Sequence, residues 1–162
     1  MLFRSVSGSA PLLLMLDRIT DVRNFGAIAR TCECFGVHAV IIPSRGGAAI
    51  NSDAVKTSAG ALNKITVCRE NNLKNTLNYL SESGLQIVAC SEKAAKNIDE
   101  VDFSIPTVII MGSEEDGISG EYLRKANVNV KIPMVGSISS LNVSVAAGVI
   151  LYEVTRQRSS KK

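Results

Sequence analysis

Between Pro133 and Ser144 the chain reads PMVGSISSLNVS, placing Ser137, Ser139, Ser140, Asn142 and Ser144 at the joint between two segments that both look like core. Polar groups at such a joint must be satisfied within the fold or must touch a ligand, so function is sought there first. Gly136 turns the chain, and Ser139 or Ser140 can cap the helix that follows. Capping leaves Asn142 over, because its amide brings two donors and two acceptor sites that need partners.

Two more polar clusters carry groups able to do chemistry. In DRITDVRNFGAIAR (Asp17–Arg30), Asp21 or Asn24 can cap a helix whose core stripe is Phe25, Ile28, Ala29, Cys32 and Phe35. Arg30 lies off that stripe and leans back over Gly26 and Ala27, whose small size leaves room. It is either a functional cation or a surface arginine paired with Glu33 or with an acid from another loop. In MGSEEDG (Met111–Gly117), Glu114, Glu115 and Asp116 put three carboxylates into one tight loop. Adjacent acids before a helix favour its N-terminus or face water more often than they bind a metal. Gly112, with no Cβ, allows the backbone to approach a flat ligand.

These clusters need elements to position them. Runs rich in Val, Ile and Leu predict strands near Leu12–Leu16, Ala39–Ile42, Ile65–Cys68, Gln86–Ala89, Thr107–Met111 and Val128–Ile132. Helical patterns fall near Gly26–Phe35, Ser52–Ala61, Leu73–Ser83, Gly120–Ala126 and Leu141–Arg156. The alternation predicts an α/β fold with a mostly parallel six-stranded sheet and helices on both faces. Ligands of such sheets sit beyond the carboxyl ends of the strands, where the three clusters follow the first, fifth and sixth runs. Pro133 should end the last strand. The last helix is apolar nearly all round, with Leu141, Val145, Val149 and Tyr152 on one face and Val143, Ala147, Ile150 and Val154 on another. It is therefore expected to be buried on several sides.

The 162 residues suit one domain, read as 11–162, preceded by a flexible segment or linker remnant over residues 1–10 (MLFRSVSGSA). A net charge of +3 permits an anionic partner without requiring one. Arg4, Arg156, Arg158, Lys161 and Lys162 gather at the two ends, as solvated charges favoured by a helix C-terminus or as RNA contacts. Four cysteines with no CxxC pair, beside the single His38, argue against zinc and for buried thiols in a reducing cytoplasm. No membrane span, leader or metal site is expected, and the missing GxGxxG lowers the dinucleotide reading.

The stretches NFGAIAR, IIMGSEEDGIS and IPMVGSISSLNVSVAAGVILYE, in this order, resemble the three motifs of the SpoU/TrmH (SPOUT) family of RNA ribose 2′-O-methyltransferases. The resemblance runs from Leu14 onward. GSISSLNVSVA and the RQR ending look most like the guanosine 2′-O-methyltransferases of the RlmB type. It implies a C-terminal trefoil (α/β) knot, S-adenosylmethionine as cofactor, and a homodimer whose two subunits shape the RNA site. Cofactor contacts are implied at Gly112, Ile132 and Leu141, with Met134 and Ser140 nearby. Catalytic and RNA roles are implied for Asn24, Arg30, Glu114, Asn142 and Ser144. Arg23, where RlmB-type relatives usually carry histidine, joins Asn24 and Arg30 as an RNA contact. Such relatives usually add an N-terminal RNA-binding domain, and only ten or so residues precede the first strand here.

The implied reaction is methylation of structured RNA, with guanosine in ribosomal RNA the expected target. Transfer RNA, or a non-catalytic RNA-binding or ribosome-associated module on the same fold, are the alternatives. An enzyme using another nucleotide would lack its phosphate-binding fingerprint.

Overall fold

The computed structural model describes residues 8–160, and within them each of the six apolar runs forms a strand. Arg4, Lys161, Lys162 and residues 1–7 of the expected flexible segment lie outside the described residues. In chain order the elements are β1 (Leu12–Asp17), α1 (Val22–Cys34), β2 (Ala39–Pro43), α2 (Ser52–Thr57), β3 (Thr66–Glu70) and α3 (Leu73–Glu82). There follow β4 (Gln86–Cys90), β5 (Lys96–Asn97), β6 (Thr107–Gly112), α4 (Gly120–Lys125), β7 (Val128–Lys131) and α5 (Val143–Ser159).

The sheet has seven strands in the order β3-β2-β1-β6-β4-β7-β5, not the six expected, and every pairing is parallel. The extra strand, β5, is two polar residues paired to β7 at the edge, Lys96 with Val130 and Asn97 with Lys131. It buries too little to leave an apolar run in the sequence. The chain steps outward from β1 to β2 and β3, while β6 flanks β1 on its other side. Crevices at such a switch point open at the carboxyl ends of the two strands.

Helices cover both faces. Leu12, Leu14 and Leu16 of β1 pack with Phe25, Ile28 and Cys32 of α1 and with Ile150, Leu151 and Val154 of α5. Leu13 and Met15 face the other way, toward Leu73, Leu77 and Leu80 of α3 and Ile118. Alternate residues of β1 thus serve opposite layers, which is why all six are apolar or buried.

Two local expectations change. The helix expected over Ser52–Ala61 ends at Thr57, because Ala59 (φ 50°) and Gly60 (φ 83°) take left-handed backbone. The room expected over Gly26 is filled by α2: a Cβ there would lie 2.7 Å from the Ala54 carbonyl oxygen and 2.8 Å from Thr57 Cβ.

The end of α5 is anchored by its side chains. Arg156 Nε and Nη2 donate to the two oxygens of Glu153, each at 2.7 Å. Gln157 accepts from the Phe103 N–H and donates to the Val101 carbonyl and to Glu153. Arg158 donates to the carbonyls of Ala10 (2.5 Å), Phe103 (2.9 Å), Pro11 and Ile105 (both 3.3 Å). Arg156 and Arg158 therefore tie the helix to itself and to the strand entries, although the Arg156 side chain stays 51% exposed.

Candidate active site

Asp21 resolves the first capping choice: its Oδ1 accepts from the Asn24 N–H at 2.8 Å, leaving the Asn24 side chain free. That side chain meets the third cluster. Asn142 Nδ2 donates to Asn24 Oδ1 at 3.0 Å and to Glu114 Oε1 at 2.7 Å. Asn142 Oδ1 in turn accepts from the Ser144 N–H (2.9 Å) and hydroxyl (2.5 Å), which makes Asn142, and neither Ser139 nor Ser140, the N-cap of α5. Glu114 Oε1 also accepts from the Val143 N–H at 3.1 Å, so one carboxylate oxygen satisfies a second free donor of that helix end. Asn24, Glu114, Asn142 and Ser144, drawn from three separate stretches, form one hydrogen-bonded junction.

The loop bearing Glu114 is held from below. Ser113 and Gly117 form an antiparallel bridge across it, and Ser119 donates its N–H and its hydroxyl to Asp17 Oδ2, both at 2.7 Å. Asp17, only 3% exposed at the end of β1, thereby fixes where the loop rejoins the fold. Gly112 is needed for this loop: a Cβ would stand 2.2 Å from the Gly117 carbonyl carbon and 2.4 Å from the Ile118 nitrogen. Its missing side chain makes room for the neighbouring backbone first, which corrects the expectation that the space serves a ligand.

Past the carboxyl ends of β4, β6 and β7 opens a cleft of about 240 Å³. Gly112, Ile132, Met134, Ser140 and Leu141 all line it, together with Met111, Glu114, Ile118, Val143 and Ala146. The chain over residues 133–141 makes no backbone–backbone hydrogen bond among the described residues, so its N–H and C=O groups are open to a ligand. A neighbouring depression, lined by Arg18, Thr20, Asp21, Asn24, Glu114 and Asp116, shares Ser113, Glu114 and Val143 with the cleft. Arg23 and Arg30 are exposed on α1, hold no hydrogen bond or ion pair among the described residues, and line neither opening. The alternative pairing of Arg30 with Glu33 is not made.

Cys90, Ser91 and Glu92, at the end of β4, also line the cleft. Sequence reading missed them, although their place after a strand was the available signal. The Cys90 thiol is pushed up to about 11, mainly by burial and further by Glu92, so it stays protonated at neutral pH. The buried Cys32 reaches about 12 for the first of these reasons. The cysteines are free, and no group of three or more His, Cys, Asp and Glu among the described residues is placed to hold a metal. No helix of the described residues is long and apolar enough to cross a membrane.

A parallel open sheet whose ligand cleft and polar junction share one carboxyl edge defines an α/β domain of the ligand-binding kind. More specifically, residues 11–152 match the SpoU rRNA Methylase family, and the chain belongs to it. An uncharacterized tRNA/rRNA methyltransferase of Mycobacterium avium is 44% identical over 158 residues, 97% of this chain. The 23S rRNA (guanosine-2′-O-)-methyltransferase RlmB of Pseudomonas aeruginosa is 41% identical, over 94% of this chain and 61% of that protein. The SpoU methyltransferase AviRb of Streptomyces viridochromogenes, solved in complex with the cofactor AdoMet, superposes with a TM-score of 0.87 at 30% identity. That match covers 94% of this chain and 62% of AviRb. The chain spans about half the length of the Mycobacterium avium relative, 51%.

Proposed function

We propose that this chain binds S-adenosylmethionine in the cleft and transfers its methyl group to a ribose 2′-hydroxyl of structured RNA, a guanosine of ribosomal RNA. The observation that carries the reading is the Asn24–Asn142–Glu114 junction at the mouth of a cleft lined by all five residues that the resemblance implied for the cofactor. The cleft suits that cofactor: Ile118, Ile132, Leu141 and Val143 offer apolar walls for a purine, and residues 133–141 offer unpaired backbone donors and acceptors for its edge.

The bound cofactor supplies an electrophilic methyl on a sulfonium. The protein's task is to hold the 2′-hydroxyl in line and to help it shed a proton. Asn142 and Asn24 orient the ribose beside the cleft, and Glu114 keeps Asn142 and the start of α5 in register. Arg30 stabilises the developing alkoxide or grips the adjacent phosphate; a guanidinium does either better than it serves as a base. Its position outside both openings of its own chain favours a homodimer in which each copy completes the RNA site of the other. Val145 and Tyr152, 52% and 60% exposed on α5, supply an apolar face for that contact. A C-terminal knot and action in the cytoplasm belong to the same reading.

Ribose methylation mapped across total RNA from a deletion strain tests the whole. Loss of one guanosine 2′-O-methyl mark in ribosomal RNA, restored by the wild-type gene, is expected. Loss at a transfer RNA position would move the substrate, and no change at any site would remove the enzymatic reading. In solution, absence of cofactor binding at millimolar concentration would instead favour a non-catalytic RNA module.

A further inference from the structure

We propose that Glu92 makes the cleft selective for cationic ligands, so that the sulfonium donor binds more tightly than the neutral thioether left after methyl transfer. The inference rests on the functional reading above. The lining holds two carboxylates, Glu92 and Glu114, and no lysine, arginine or histidine. Glu114 is committed to Asn142 and the Val143 N–H. Glu92 is exposed, makes no hydrogen bond or ion pair among the described residues, and lines the cleft just after β4. Cys90 beside it remains a neutral thiol and adds no charge.

Donor and product differ by one methyl and one positive charge: the sulfur keeps the bonding pair when the methyl leaves for the ribose oxygen, and the hydroxyl proton passes from that oxygen to water. Apolar walls contact both forms alike, so a charged group discriminates between them most strongly. A carboxylate on the wall of a partly solvated cleft should favour the cation by roughly threefold to tenfold. The product then leaves a site that has lost part of its attraction for it.

Calorimetric titration of the chain with S-adenosylmethionine, S-adenosylhomocysteine and sinefungin, whose amine replaces the sulfonium by an ammonium, tests this. The wild type should bind both cations more tightly than the thioether, by a ratio that shrinks with added salt. Glu92→Gln should weaken the two cations roughly fivefold and change the thioether by less than about twofold, and Glu92→Lys should reverse the preference. Equal weakening of all three ligands, or none, in a folded Glu92→Gln protein would overturn the inference and leave the functional reading standing. Failure of the wild type to bind any of the three would overturn both.

Discussion

Asn142 works with both ends of one amide. Its oxygen caps α5 through Ser144, while its nitrogen joins Asn24 to Glu114. Asn142→Asp separates the two tasks, because a carboxylate still accepts from Ser144 but cannot donate, and it sets a second negative charge beside Glu114. The helix should stay capped, while the like charge beside Glu114 and the two lost bonds lower thermal stability. Methyl transfer, followed with labelled cofactor, should fall about a hundredfold through misplacement of the ribose. Full activity in that variant would remove Asn142 from the site. The residue was legible in the sequence because capping could not use all of its hydrogen-bonding groups. Glu92 was not, since one acid in a polar loop looks like any solvated charge until the ends of β4 and β6 are brought together. Gly112 was legible as special but for the wrong neighbour, because the Gly117 backbone that occupies its Cβ position arrives through a bend no local pattern encodes.

At the scale of elements, the loop after β6 is built around that close approach. Gly112→Ala should cost roughly 3 kcal/mol or more, read as a lowered denaturation midpoint, since backbone must move to admit a methyl. The long helix α5, expected to be buried on several sides, divides into a core side and an outward side. Val143, Ala147, Ile150, Leu151 and Val154 enter the core, whereas Val145 and Tyr152 face outward. Hydrophobicity alone could not separate a core face from an outward one, because both are apolar. If the outward face joins two copies, Val145→Arg should convert a dimer to monomers in sedimentation equilibrium and leave cofactor affinity intact. The six longer strands were readable from burial, which writes Val, Ile and Leu into a sequence. The two-residue β5 is held by edge hydrogen bonds and leaves no such trace.

For the molecule as a whole, the last turns of α5 contribute to acid sensitivity. Hydrogen bonds from Arg156 hold the Glu153 carboxyl below its ordinary value of 4.5, outweighing burial, with a further bond from Gln157. A depressed native pKa means stability that is present above the unfolded value and lost as pH falls through the native one. Between pH 5 and lower values, the melting temperature of the wild type should therefore fall more steeply than that of Glu153→Gln. Arg158→Met keeps the side-chain stem and removes the donors to four carbonyls, a loss of roughly 2–4 kcal/mol in urea unfolding.

The Arg158 clamp also decides how the domain can be carried. It fastens the last turns of α5 to Ala10 and Pro11, at the edge where the parallel strands begin. The cleft and the asparagine junction open at the edge where those strands end. A tether joined before Ala10 and one joined after Ser160 would therefore leave from nearly the same spot, on the far side from the cleft. A surface, a tag or a second domain attached at either point would present the cleft outward, like a cup held by its base.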